Sequence, residues 1–98
     1  MVSIVLVSHS KELAAAVKAL ADQQTQNRTP IVTAAGIDDA QQPFGTDPLE
    51  IVEAIRSVLS ADGVLVLMDL GSAVMSATVA MDLLEPGQAA VVQLVAAP

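Results

Sequence analysis

Four short apolar segments alternate along the chain with segments of helical periodicity. The apolar segments are residues 2–7, 31–34, 64–68 and 91–95. They are almost continuously apolar and rich in β-branched residues, which is typical of strands buried on both faces of a parallel sheet. Because helical segments separate them, the pattern predicts an α/β fold with helices on both faces of the sheet.

The first helix is predicted to begin after Ser10, whose hydroxyl is a candidate N-cap, with Glu12 in the first turn. Four of its apolar residues share one helical face, which we expect to pack against the sheet: Leu13, Val17, Leu20 and Ala21.

The second helix has a strong start signal, with Asp47 at the N-cap, Pro48 at the first helical position and Glu50 three residues after the cap. Its expected buried positions are Ile51, Ile55, Val58 and Leu59. A third helix is expected to end near Leu84, before Pro86, and to be lined by Ala73, Ala77, Ala80 and Met81.

Right-handed crossovers favour the strand order 2-1-3-4, which gives a doubly wound, mainly parallel sheet of about four strands. Ligands of such sheets bind beyond the carboxyl ends of the strands where the strand order reverses, here between strands one and three. The segments that follow these two strands are Ser8-His9-Ser10 and Asp69-Leu70-Gly71-Ser72. We therefore expect a functional site at these two segments.

Composition narrows the classes of function. The chain has 98 residues, of which 53% are hydrophobic and 15% charged, so we expect a single ordered domain over residues 1–98. Its 4 Lys+Arg against 11 Asp+Glu give a net charge of −7, which disfavours nucleic acid and anionic membranes as partners. No apolar run approaches the roughly 20 residues of a membrane-spanning helix. The absence of cysteine fits the cytoplasm.

His9 is the only histidine and lies at the expected site, before a helix. Its neutral imidazole is a nucleophile, and a helix N-terminus favours an incoming anion, so His9 is a candidate phosphohistidine. The alternative is a capping or surface histidine. Asp69 is a candidate orienting group, because a carboxylate bonded to one ring N–H leaves the other nitrogen free to attack. Asp69 could equally cap the third helix.

Candidate phosphate-binding residues lie at the starts of the three predicted helices. Gly71 and Ser72 could offer a backbone N–H and a hydroxyl to a phosphate, and Ser10 and Thr46 are weaker candidates of the same kind. One histidine with scattered carboxylates makes a poor ligand set, so no metal is expected.

Four segments together resemble one family: residues 7–10 (Val-Ser-His-Ser), 34–39 (Ala-Ala-Gly-Ile-Asp-Asp), 44–47 (Phe-Gly-Thr-Asp) and 68–73 (Met-Asp-Leu-Gly-Ser-Ala). The family is the DhaM-type phosphoryl-donor subunit of the phosphoenolpyruvate-dependent dihydroxyacetone kinase, a relative of the mannose-family enzyme IIA domains. The resemblance covers the whole chain. The chain lacks the Gly-Gly-Thr-Pro run of the mannose transporters, which favours the dihydroxyacetone branch.

The resemblance implies a phosphotransferase subunit. His9 would accept a phosphoryl group from phospho-HPr and pass it to ADP held by the nucleotide-binding subunit of the kinase. Asp69 would support the ring, and Gly71 and Ser72 would line the phosphate site. No cofactor would be bound directly, since the phosphoryl group is carried covalently on His9. The family is usually homodimeric and normally continues past the fourth strand, so the resemblance implies that this sequence is a truncated domain, part of a longer one or a short form.

Two other functions are compatible with a doubly wound domain. A receiver-like signalling module would be phosphorylated on Asp69, but receivers need an acidic pair after the first strand, where this chain has Ser8-His9-Ser10. A regulatory interaction domain would use His9 only as a cap. Both alternatives predict no phosphohistidine.

Overall fold

A computed structural model describes residues 2–8, 10–26, 28–35, 47–60, 62–69 and 71–96. Its elements, in chain order, are β1 (Ser3–Ser8), α1 (Lys11–Thr25), β2 (Ile31–Ala35), α2 (Pro48–Ser57), β3 (Val64–Met68), α3 (Gly71–Leu83), α4 (Pro86–Ala89) and β4 (Val92–Ala96). Within this part of the chain, no helix is both long enough and apolar enough to cross a membrane.

The described strands form one sheet in the order β2-β1-β3-β4, and all three neighbouring pairs are parallel. The predicted fold class and strand order are confirmed. The central strand β1 pairs with β2 on one side and with β3 on the other. The strand order therefore reverses between β1 and β3, as expected.

The helices form two layers. Helix α1 contacts β1 and β2, whereas α2 and α3 contact each other and the opposite face of the sheet. Successive side chains of a strand point to opposite faces. In β1, Val5 and Val7 accordingly belong to the core under α2 and α3, while Leu6 and Ser8 face the side of α1.

The core lies between the sheet and the α2–α3 layer. Ile51 and Ile55 of α2 are completely buried in this core, as the helix periodicity predicts. Helix α3 contributes only small side chains at its most buried positions, namely Ala73, Ala77 and Ala80. Alanine at these positions lets the backbone of α3 lie close to α2 and the sheet, which compensates for the scarcity of large aromatic residues.

The orientation of α1 differs from the sequence prediction. Among the α1 residues whose burial the structure describes, Ala14 is the buried one, whereas Leu13, Val17 and Leu20 remain 46%, 43% and 60% exposed. The predicted inner face of this helix was therefore wrong at these three positions, whereas Ala21, the fourth predicted residue, is half-buried. Small Ala14 permits close contact with the sheet, and the larger apolar side chains of Leu13 and Val17 line a groove beside it.

The segment between α3 and β4 contains a short helix, α4, which the sequence analysis treated only as a stop signal. Pro86 ends α3 but also occupies the first turn of α4, a position that proline favours. Gln88 Oε1 accepts the backbone N–H of Glu85 at 3.1 Å, which completes a capping box. The same proline thus ends one helix and begins the next.

Candidate functional site

The carboxyl ends of β1 and β3 bring two polar side chains together. Val7 pairs with Met68 in the sheet register, so the residues that follow them, Ser8 and Asp69, lie side by side. Ser8 Oγ donates a hydrogen bond to Asp69 Oδ2 at 2.7 Å. A hydrogen bond of this length to a carboxylate is one of the stronger kinds in proteins.

The Ser8 hydroxyl also accepts a hydrogen bond from the backbone N–H of Ser10, at 3.0 Å. Ser8 is only 5% exposed, and both of its hydrogen bonds lie in a partly buried environment. One buried hydroxyl therefore connects the end of β1, the end of β3 and the residue that precedes α1.

Ser10 is the N-cap of α1, as the sequence predicts. Its backbone is extended, with φ −121° and ψ 119°, and its Oγ accepts the backbone N–H of Leu13 at 3.3 Å. The Ser10 hydroxyl thereby accepts one of the first backbone N–H groups of α1, which have no partner within the helix. Ser10 is therefore placed primarily as a helix cap.

An open groove of about 350 Å³ runs between α1 and the sheet. Its lining is mostly apolar, and Ser8 and Asp69 supply its polar groups. Its larger apolar lining residues are Leu6, Leu13, Val17, Leu67 and Met68. The two hydrogen-bonded side chains are thus accessible from one side, while Asp69 remains only partly exposed.

The other predicted site residues have different outcomes. Gly71 and Ser72 are the first two residues of α3, which begins two residues after Asp69. Their roles toward phosphate stay predictions. His9 and Thr46 lie outside the described residues. Among the residues that are described, no group of three or more His, Cys, Asp or Glu side chains could hold a metal ion.

Sequence reasoning did not single out Ser8. In the sequence it appeared only as part of the polar segment that ends the first strand. The structure makes it the last residue of β1, buried and bonded to Asp69. Its two-residue spacing from Leu6 puts both side chains on the same face of the sheet, but no local pattern indicates the bond to Asp69.

These features define a doubly wound α/β domain whose polar site lies at the reversal of strand order. A family model described as "EIIA-man: PTS system fructose IIA component" matches residues 3–98. The chain belongs to this family of phosphotransferase-system domains.

Similar proteins agree with the family and with the resemblance noted in the sequence. The chain is 52% identical over 99 residues to the "PEP-dependent dihydroxyacetone kinase, phosphoryl donor subunit DhaM" of Klebsiella michiganensis, covering 100% of this chain and 21% of that protein. It is 31% identical over 85 residues to the corresponding subunit of "PEP-dependent dihydroxyacetone kinase 2" from Listeria innocua, covering 87% of this chain and 66% of that protein.

A solved structure has the same fold. The crystal structure of a protein of unknown function, EF1359, superposes with a TM-score of 0.83 at 35% sequence identity and covers 99% of this chain and 73% of that one. The chain thus spans most of this structural neighbour but only about a fifth of the Klebsiella relative, 21% of its length.

Proposed function

We propose that this chain is a phosphoryl carrier that accepts a phosphoryl group on His9 from phospho-HPr. It then donates that group to ADP bound on the nucleotide-binding subunit of a dihydroxyacetone kinase. The observation that carries the proposal is the Asp69 carboxylate held against Ser8, the residue covalently bonded to His9. The similarity to phosphoryl-donor subunits of PEP-dependent dihydroxyacetone kinases supports a phosphoryl-donor role, and phospho-HPr and ADP are the proposed donor and acceptor.

The chemistry needs few groups from the chain. An imidazole nitrogen of His9 attacks the phosphorus, and the bond to the donor breaks as the new N–P bond forms. In the second step the terminal oxygen of ADP attacks and the N–P bond breaks, which gives ATP. Asp69 would accept the other ring N–H, which fixes the tautomer and stabilises the positive ring that forms on phosphorylation. Because the bond that breaks and the bond that forms are both of high energy in each step, the protein contributes mainly by positioning the phosphoryl donor and the acceptor.

The transferred group would lie near the start of α3. That helix begins at Gly71, and the first N–H groups of a helix have no partners within it, so they can bind phosphate oxygens. Ser72 is proposed to add a hydroxyl, and Ser10 and Thr46 stay secondary candidates. The phosphoryl group on His9 is the only group that the proposal requires the chain to carry.

We also propose that the chain works as a homodimer. Large apolar side chains are exposed on α1, and they continue into the apolar groove beside β1 and β3. A second copy of the chain that covered this surface would remove it from water. The oligomeric state can be measured by sedimentation, in which a monomer at all concentrations contradicts this part of the proposal.

A reconstituted reaction tests the donor function. Phosphoenolpyruvate, enzyme I, HPr, the ADP-loaded kinase subunits and dihydroxyacetone are combined, and dihydroxyacetone phosphate is measured with and without this chain. We expect product only when the chain is present. His9→Ala should abolish the reaction, and Asp69→Ala should slow it, while both variants keep their far-ultraviolet circular dichroism.

The matched control is Asp82→Ala, which removes an exposed carboxylate from α3. Its rate should equal that of the unmodified chain. Product formation that persists in His9→Ala contradicts the carrier role of His9. An unchanged rate in Asp69→Ala contradicts the orienting role of Asp69.

A further inference from the structure

We propose that Ser8 is a positioning residue that acts through Asp69. Its hydroxyl would fix the orientation of the Asp69 carboxylate and hold the backbone N–H of Ser10, the residue that follows His9 in the sequence. The inference rests on the proposed function for its kinetic consequences, whereas its structural consequences can be measured without phosphoryl transfer.

The Ser8 hydroxyl donates one hydrogen bond and accepts another. A hydroxyl has one proton to donate and can accept with its oxygen. Ser8 donates to Asp69 Oδ2 at 2.7 Å and accepts from the Ser10 N–H at 3.0 Å. The acceptance polarises the hydroxyl and strengthens its donation, because hydrogen bonds in a chain reinforce one another. Asp69 thereby has one carboxylate oxygen held in a fixed direction.

The two hydrogen bonds of Ser8 connect the segment after β1 with the residue after β3. The bond from the Ser10 N–H to Ser8 Oγ joins the two residues that precede and follow His9 in the sequence. The bond to Asp69 links Ser8 to the residue after β3. A single hydroxyl therefore couples the segment that carries the nucleophile to the carboxylate proposed to orient it.

Burial distinguishes Ser8 from an ordinary polar residue at the end of a strand. It is 5% exposed, and Asp69 is partly buried beside it. Removing the hydroxyl takes one partner from the Asp69 carboxylate and one acceptor from the Ser10 N–H, and such a loss is costly at a partly buried site. Misplacement of a supporting group by about 1 Å can cost roughly a hundredfold in rate.

Two β-branched variants test the proposal with matched shapes. Ser8→Thr keeps the hydroxyl, whereas Ser8→Val replaces it with a methyl group of similar size. Both side chains suit a strand. Phosphorylation of the chain by phospho-HPr is followed by rapid quench. We expect the threonine variant to stay within a few-fold of the unmodified rate and the valine variant to be at least about tenfold slower.

Ser3→Ala is the matched control, because Ser3 is a 3% exposed serine at the opposite end of the same strand. Its transfer rate should not change. Ser8→Ala serves as a second hydroxyl-free variant where valine prevents folding. Combining the Ser8 change with Asp69→Asn gives a double-mutant cycle, and a residue that acts through Asp69 should add little further slowing to the Asp69→Asn variant.

Two spectroscopic measurements do not depend on transfer. Nitrogen-15 shifts of the unphosphorylated His9 ring should report one dominant tautomer in the unmodified chain and in Ser8→Thr, and a mixture in Ser8→Val. The Ser10 amide proton should exchange faster with solvent in Ser8→Val, because its acceptor is lost.

The outcomes separate the inference from the function. Equal transfer rates and equal tautomer populations in the threonine and valine variants overturn the role of Ser8, even if His9 carries phosphate. Full additivity in the double-mutant cycle also overturns it. If the unmodified chain accepts no phosphate, the proposed function fails, and the tautomer and exchange measurements still decide whether Ser8 orients the site.

Discussion

The burial of Ile55 gives a stability prediction that tests the two-layer packing. Ile55 lies on α2, is 0% exposed, and packs in the core between the sheet and the α2–α3 layer. Ile55→Ala removes three buried carbon atoms. At about 0.8 kcal/mol for each, the lost transfer free energy is roughly 2.4 kcal/mol. The cavity left behind adds to this loss, so we expect the free energy of unfolding to fall by about 3–4 kcal/mol.

The matched control lies on the same helix. Leu49 is 63% exposed, and Leu49→Ala should change the free energy of unfolding by less than about 0.5 kcal/mol. Urea unfolding should be followed by far-ultraviolet circular dichroism, because the chain has no tryptophan or tyrosine for fluorescence. The slope of the unfolding free energy with urea should stay the same, since a core deletion changes stability rather than compactness.

The size of the expected loss makes the experiment decisive. A chain of this length is stabilised by roughly 5–15 kcal/mol, so the Ile55→Ala variant should remain folded at 25 °C with a much lower midpoint. Its melting temperature should fall by more than about 12 °C. A loss as small as that of Leu49→Ala would refute the placement of α2 over the core.

Two further predictions concern local backbone structure and use the same urea assay. Gly63 has φ +103°, and a Cβ at this position would lie 3.2 Å from the Val91 carbonyl oxygen. Gly63→Ala should therefore lower the free energy of unfolding by about 1–2 kcal/mol. An unchanged free energy of unfolding would contradict the turn that precedes β3. Asp47 caps α2, because its side chain accepts the Leu49 N–H at 3.0 Å. Asp47→Ala should lower the free energy of unfolding by about 1 kcal/mol, and Asp47→Ser should lower it much less. Equal losses in the two Asp47 variants would show that the side-chain cap contributes nothing.

The fold followed from local patterns because each strand is short, apolar and separated from the next by a helix. Asp47 and Pro48 marked the start of α2 by mechanisms that act within a few residues, so the sequence located it correctly. The strand order then followed from chain connectivity and handedness. Asp69 was placed at the mouth of β3 by the same reasoning.

The face of α1 and the role of Ser8 could not be predicted in this way. Periodicity shows which residues of a helix share a face, but not which neighbouring surface that face meets. Leu13 and Val17 share a face that lines the groove, and small Ala14 makes the close contact with the sheet. The Ser8 bond depends on the register of β1 against β3, which no local pattern specifies.

The most direct test of the account is the chemical nature of the phosphorylated group. The chain is incubated with phosphoenolpyruvate, enzyme I and HPr, and its intact mass and the lability of the adduct are measured. The proposed carrier role of His9 predicts one added phosphoryl group that is labile in acid, stable in alkali and absent from His9→Ala. A folded chain that gains no phosphate, or an adduct on Asp69 that hydroxylamine removes, would contradict it.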